Sequence, residues 1–291
     1  MTKIIDTLKK LNLISDSRRE LYSKSTRDIE NLNVFKDSAT GIIYIDDFYC
    51  GDEMYISGQY RETDKEISTE KIDPQVEIDA ARRFKDFQSM CIGKSVLDFG
   101  CGEGAFLAKI KNIASDFRGI ELQENFIEKL LLADIPVFNS LDEVEDSSID
   151  VIFLFHVLEH LPDPIPIINS LQKKLKSDGK IVFEVPNAND FLLSYLESDE
   201  FKNFTIWSQH LILHTHESLK KLLEFAGLSN IKVEGVQRFP ISNHLYWAKE
   251  GLPGGQHTKI ASLDSPSLHK AYEDELNTIY ATDTLIAYGS K

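Results

Sequence analysis

The chain has 291 residues, with 32 Lys and Arg against 47 Asp and Glu, a net charge of −15, and 42% hydrophobic residues. Hydrophobic content of this order excludes a chain disordered throughout. The acidic balance argues against wrapping nucleic acid or lying on an anionic membrane, both of which need an excess of Lys and Arg. Cys50, Cys91 and Cys101 include no CxxC pair and are too few for a disulfide framework, which fits a reducing compartment. The N-terminal stretch is interrupted by polar residues and reads as no secretory signal, and no apolar run reaches the roughly 18 residues of a membrane span. The expectation is a cytoplasmic protein.

Ile4, Ile5, Leu8 and Leu11 recur at helical spacing, so the chain is expected to open with a helix. Residues 34–36 and 41–46 read as short strands around a turn-rich 37–40. The charged stretch 61–74 reads as a loop. Residues 75–90 read as a helix with Val76, Ile78, Ala80, Phe84 and Phe87 available for its apolar face. Strands at 95–99, 117–121, 136–138, 150–155 and 180–185 are then interleaved with helices at 103–112, 123–133 and 165–175. Such alternation means parallel strands joined by helical crossovers, and burial on both faces accounts for their nearly continuous hydrophobicity. An amphipathic helix over 217–227 ends at Gly227, and a strand follows at 231–236. Residues 239–282, broken by Pro240, Pro253, Gly254 and Gly255, exceed a normal connection and read as an inserted cap. Residues 284–288 return as a last strand. The fold class is α/β, a doubly wound and mostly parallel sheet. Its expected parts are an N-terminal extension (1–74), a core (75–238), a cap insert (239–282) and a final core strand (283–291).

The most informative segment is Val96-Leu97-Asp98-Phe99-Gly100-Cys101-Gly102-Glu103-Gly104. Glycines at alternate positions, straight after a strand and opening a helix, allow a tight turn and close approach of a ligand to backbone. The spacing differs from the dinucleotide fingerprint G-x-G-x-x-G. The preceding Asp98 disfavours a pyrophosphate and favours a cationic ligand. Glu121 closes the next strand, where a carboxylate can accept two hydrogen bonds from a ribose diol.

Asp98-x-Gly100-x-Gly102-x-Gly104 followed by Glu121 resembles the class I methyltransferases that use S-adenosylmethionine (SAM). The resemblance covers about residues 75–237 and implies a seven-stranded, Rossmann-like methyltransferase fold. It places the donor's amino group near Asp98 and its ribose on Glu121. Cys101, Leu122, Phe155 and His156 join the cofactor site, and the adenine falls near Ser140 and Leu141. Residues 150–164, containing Leu158-Glu159-His160-Leu161-Pro162-Asp163-Pro164, resemble the fourth-strand segment of quinone-type and sugar-type methyltransferases. Residues 180–187, ending in Pro186-Asn187, resemble their fifth strand. Residues 207–216 and 237–240 resemble sugar C-methyltransferases, which puts His210 at that group's base position, with Gln209 where an acid often stands. The first 60 residues resemble that group's N-terminal module, whose zinc-binding cysteines are not matched here beyond Cys50.

Methyl transfer needs an aligned acceptor and, for a hydroxyl, a base. Of the eight histidines, His210 and His160 are the catalytic candidates. No carboxylate or cysteine stands at a usual ligand spacing from them, so no metal is expected. Trp207, Asn243, His244 and Tyr246 combine aromatic faces with polar donors suited to a saccharide, and Arg238 can grip an anionic group. The expected activity is SAM-dependent methylation of a small polar acceptor, a hydroxyl of a sugar or sugar conjugate. C- or N-methylation of a nucleotide sugar and a non-catalytic SAM-binding module are the competing readings. The expected partner is a small molecule, with neither nucleic acid nor membrane, and a homodimer is left open.

Overall fold

Apolar strands that alternate with amphipathic helices must be covered on both faces, and the chain arranges them so. The computed structural model describes residues 2–58 and 74–291. The loop expected over 61–74 lies outside them except for Pro74, which begins a helix. In chain order the strands are β1 (Arg19–Ser23), β2 (Val34–Asp37), β3 (Ile43–Ile45), β4 (Ser95–Phe99), β5 (Asp116–Ile120), β6 (Val137–Phe138), β7 (Ile149–Phe155), β8 (Leu175–Pro186), β9 (Ile212–Leu213), β10 (Ser229–Val236) and β11 (Thr284–Ser290).

Seven strands form the central sheet in the order β10-β11-β8-β7-β4-β5-β6. β11 runs antiparallel to both neighbours, and the other pairs are parallel. Successive side chains of a strand face opposite ways, so each strand feeds two cores. Leu97, Ile152, Leu154, Phe183 and Val185 pack with Ile168, Leu171, Leu219 and Leu222 from helices Pro164–Lys174 and His216–Phe225. Val96, Val151, Phe153, Phe155 and Val182 pack with Phe87, Phe106, Ile110 and Leu130 from helices Pro74–Cys91, Ala105–Ile110 and Glu124–Leu132. The order brings the C-terminal ends of β4 and β7 side by side, the place where a doubly wound sheet opens its ligand crevice.

The N-terminal extension is sewn into this body. Helix Lys3–Lys10 buries Ile4, Ile5 and Leu8 in the first core. β1, β2 and β3 form an antiparallel sheet whose fourth strand, β9, comes from the core. β1 lies in a stretch whose local pattern marked no strand. It exists by pairing with β2, where Arg19 covers the Phe35 ring at 3.5 Å, a tertiary contact that local propensity does not encode. Residues 239–282 hold helices Ile241–Glu250 and Pro266–Thr278 with two 3₁₀ turns between them. Trp247 anchors the first helix against Phe201 and Phe204 of helix Asp199–Thr205, with ring centroids 5.1 and 5.2 Å away.

Candidate active site

β4 delivers Asp98 to the sheet edge and the chain then turns sharply. Gly100, Gly102 and Gly104 take φ of 78°, 54° and 70°, in the left-handed region. A side chain on Gly100 would also place its Cβ 2.6 Å from Val157 Cγ2. The turn is tied to the end of β5. Gly100 N and Cys101 N donate to Ile120 O at 2.9 and 3.0 Å, and Gly102 N donates to Glu121 Oε2 at 2.8 Å. Glu121 Oε1 accepts from Leu122 N at 2.8 Å and Gln123 N at 2.9 Å. Three amides thus hold the second acid beside the glycine turn.

Asp98 is 2% exposed, and its Oδ1 has no hydrogen-bond partner. Burial pushes its carboxyl up to about 7, Arg83 opposes the shift, and the charges of Glu121 and Glu184 add to it. An orphaned buried carboxyl oxygen next to a glycine turn is the environment an ammonium group completes, so the residues present fit the methionine end of SAM.

The sequence reading missed the cluster beneath this turn. Arg82 and Arg83 on helix Pro74–Cys91 both reach Glu184 of β8, with Arg82 Nη2 at 2.8 Å and Arg83 Nη2 at 2.6 Å from Oε1. Burial favours the neutral acid, but Arg83, His156 and Arg82 together hold Glu184 well below the usual range. His156 follows β7 with φ of 54°, a strained value for a residue with a Cβ. Its Nε2 lies 3.2 Å from Glu184 Oε1 and its Nδ1 3.3 Å from Glu159 Oε1. Burial and Arg238 oppose protonation of His156, and the two glutamates outweigh them and raise it. A charged residue inside the otherwise apolar run 181–185 was the available signal.

On the far side of His156 the 3₁₀ turn Leu158–His160 presents Glu159, fully buried, and His160. Burial would raise Glu159, yet the hydrogen bond from His156 and the nearby His160 bring it to about 2. His160 Nδ1 donates to Gln209 O at 2.9 Å, and its ring lies 5.1 Å from that of His210. Burial, then His160, push His210 down to about 3. Trp207 meets both rings edge-on at 6.0 and 5.3 Å, and Tyr55 of the extension meets His160 at 5.9 Å. Both catalytic candidates therefore share one locus. The expectation that these histidines lack a carboxylate partner is corrected here. Leu211 N donates to Glu159 O at 2.9 Å and joins two segments remote in sequence. One ligating atom each from Glu159, His160 and His210 then lies within 4.8 Å of the others.

The remaining candidates divide. Phe155 stacks among Phe87, Phe106 and Phe153, with the Arg83 guanidinium 4.3 Å from its ring centroid. Cys101 is half-buried against Gly119, and Leu122 is exposed. Ser140 Oγ accepts from Asp142 N at 3.2 Å and caps the turn Leu141–Glu143, while Leu141 packs on the first core. The Arg238 guanidinium forms a two-point ion pair with the buried Asp79. Asn243 donates to Gln256 Oε1 at 2.8 Å, and His244 bonds Tyr272 Oη at 2.6 Å and stacks on Phe191. Tyr246 packs on the turn at Gly255, where an added Cβ would lie 2.7 Å from its own. Asn243, His244 and Tyr246 thus pack the insert onto itself and the core, because an inserted helix must bury one face.

The methyltransferase-domain family matches this chain over residues 72–233, more than half its length. The chain belongs to that family and is a class I SAM-dependent methyltransferase. A SAM-dependent methyltransferase from Archaeoglobus fulgidus has the same fold, with a TM-score of 0.51 at 22% identity over 74% of this chain and 94% of that one. The chain is 26% identical over 172 residues to a ubiquinone biosynthesis O-methyltransferase of Idiomarina loihiensis, covering 54% of this chain and 71% of the relative. It is 34% identical over 109 residues to one of Neisseria meningitidis, covering 33% and 46%. It thus spans less than half of the latter's length. Among the described residues no helix is long and apolar enough to cross a membrane.

Proposed function

We propose that the chain transfers the methyl of SAM to a hydroxyl oxygen of a small polar acceptor, a sugar or sugar conjugate held against the His160–His210 face. The observation that carries this reading is the placement of two histidines and a buried acid at the end of β7, next to the glycine turn after β4. SAM supplies a methyl on a positively charged sulfur, which leaves as a neutral thioether. The chain's residues do the rest. Asp98 pairs with the ammonium, and Glu121 exchanges its amide contacts for ribose hydroxyls. His160 draws off the acceptor's proton as the new oxygen–carbon bond forms, with His210 beside it kept neutral and Glu159 balancing the charge. Trp207 and Tyr55 supply aromatic faces on which a sugar ring can stack.

The O-methyltransferase names of the relatives favour oxygen over carbon or nitrogen as the methylated atom. They also support a second reading, an acceptor from ubiquinone biosynthesis. Methyl-labelled SAM offered with phosphorylated sugars, nucleotide sugars and a dihydroxybenzoate separates the two. Label on a sugar hydroxyl, located by product NMR, is the expected result. Turnover of the aromatic diol alone selects the second reading. SAM binding without label transfer to any acceptor, including a cell extract, would mean a non-catalytic binding module.

A further inference from the structure

We propose that Glu159, His160 and His210 form a binding site for a first-row divalent cation of the zinc, cobalt or manganese type. Their ligating atoms lie within 4.8 Å of one another. Metal–ligand bonds of about 2.0–2.2 Å put neighbouring ligand atoms roughly 3.4 Å apart, so a cation draws the three together by no more than about 1.5 Å. Two imidazoles and one carboxylate suit first-row ions better than magnesium or calcium, which favour all-oxygen sets.

A second observation is independent of this spacing. Glu159 Oε2 and His210 Nδ1 are buried without any hydrogen-bond partner. A buried polar atom left without a partner is costly, and two of them on residues of one cluster call for a group to satisfy them. A proton relay would join them to each other or to a neighbour, whereas a cation satisfies a carboxylate oxygen and a ring nitrogen at once. The supporting contacts are also those of a metal site. His156 Nδ1 holds the other oxygen of Glu159 at 3.3 Å, and the Gln209 carbonyl fixes the Nδ1–H of His160 at 2.9 Å, which leaves the lone pair on Nε2. The ligands stand on two segments clamped by the bond from Leu211 N to Glu159 O.

Three protein ligands leave coordination positions open. On the functional reading above, neighbouring hydroxyl oxygens of the acceptor fill them. A cation there would lower the pKa of a bound hydroxyl so that its proton passes to bulk water, and the metal-loaded site would then replace the histidine base of the metal-free reading.

The test is titration of the chelator-treated full chain with Co²⁺, read by visible absorption and calorimetry, with SAM binding measured on the same samples. One Co²⁺ per chain with a dissociation constant in the micromolar range is expected. Glu159→Gln and His210→Ala are each expected to weaken it at least thirtyfold with SAM affinity unchanged. Glu159 is fully buried, so His210→Ala keeps the test decisive if the glutamine variant fails to fold. Absence of saturable Co²⁺ binding in protein that binds SAM normally would overturn the site. So would Co²⁺ binding that persists undiminished in His210→Ala. Either result leaves SAM-dependent O-methylation standing, and failure of sugar turnover with Co²⁺ binding intact counts only against the acceptor.

Discussion

Asp98 offers a quantitative handle on cofactor binding. Its carboxyl sits near 7 in the ligand-free protein because burial disfavours its charge, with Glu121 and Glu184 adding repulsion and Arg83 giving partial relief. An ammonium bound there requires the ionised form, so apparent affinity scales with the fraction of Asp98 that is deprotonated. From pH 7.5 to 6.0 the factor 1 + 10^(pKa − pH) grows from about 1.3 to about 11, an eightfold weakening worth about 1 kcal/mol. The range stops at 7.5 because an α-amino group itself begins to lose charge near 7.7–8.0. Calorimetric titration with SAM at the two pH values measures the ratio, and repetition in buffers of different ionisation enthalpy counts the proton released. Asp98→Asn is expected to bind weakly with no slope over this range. The stability of the free protein has the opposite sign. A buried acid with a raised pKa favours the fold when protonated, so its cost grows as pH rises, from about 2 kcal/mol at pH 5 to about 4 kcal/mol at pH 8 as an upper bound. Asp98→Asn should therefore raise the melting temperature of the unliganded protein more at pH 8 than at pH 5. A wild-type affinity flat between pH 6.0 and 7.5, or an unchanged slope in Asp98→Asn, would refute the pairing of this carboxyl with the donor's ammonium.

Other consequences follow from the same geometry. Glu121→Ala removes the acceptor of three amides and, on the functional reading, the ribose contact. It should weaken SAM at least tenfold and cost about 1–3 kcal/mol by chemical denaturation. Gly100→Ala meets both the left-handed φ and Val157, so a destabilisation of about 1–3 kcal/mol with weakened SAM binding is expected, read by melting with and without ligand. Arg238→Ala removes the two-point partner of the buried Asp79 carboxylate, leaving Arg82 at 3.6 Å and the amide of Gln75 at 3.2 Å, and should lower stability by about 3 kcal/mol. Asp79→Ala in the same chain should restore part of that loss, and KM for the acceptor should hold once activity is corrected for the folded fraction. A specific rise in KM would return Arg238 to the acceptor.

What could be read in advance follows from the range of the interactions. The glycine turn, its flanking acids and the alternation of strands and helices are local patterns, and β4 spans the residues 95–99 that its apolar run marks. The two-residue β9 has no periodicity to read and owes its existence to β3. The Arg82–Glu184 and Asp79–Arg238 pairs join residues more than a hundred positions apart. Nothing in their spacing announces them. Asn243 and His244 are ambiguous for a related reason. A polar aromatic segment suits a ligand and the buried face of an inserted helix equally well, and its packing partners Gln256, Tyr272 and Phe191 are not announced by the local pattern.

The acid beside the histidines shows most sharply how sequence position and spatial position part. By resemblance to the sugar C-methyltransferases, Gln209 stands where an acid often does, and that change alone reads as a weakened proton relay to His210 that counts against carbon-acid chemistry. Its side chain is turned the other way, taking the Cys50 thiol at 2.9 Å and Ser208 Oγ at 3.2 Å, so it lends His210 no charge. The negative charge arrives from the end of β7 instead. Glu159 is fully buried and held ionised near 2, and it meets His160 and His210 within 4.8 Å. An acid supplied from β7 is fixed to the same strand end as His156, next to the β4 turn. A relay acid at 209 would be carried on a loop. On the proposed function, the exchange ties the charge of the acceptor side to the rigid sheet that carries the cofactor turn, and one sheet would position both halves of the reaction.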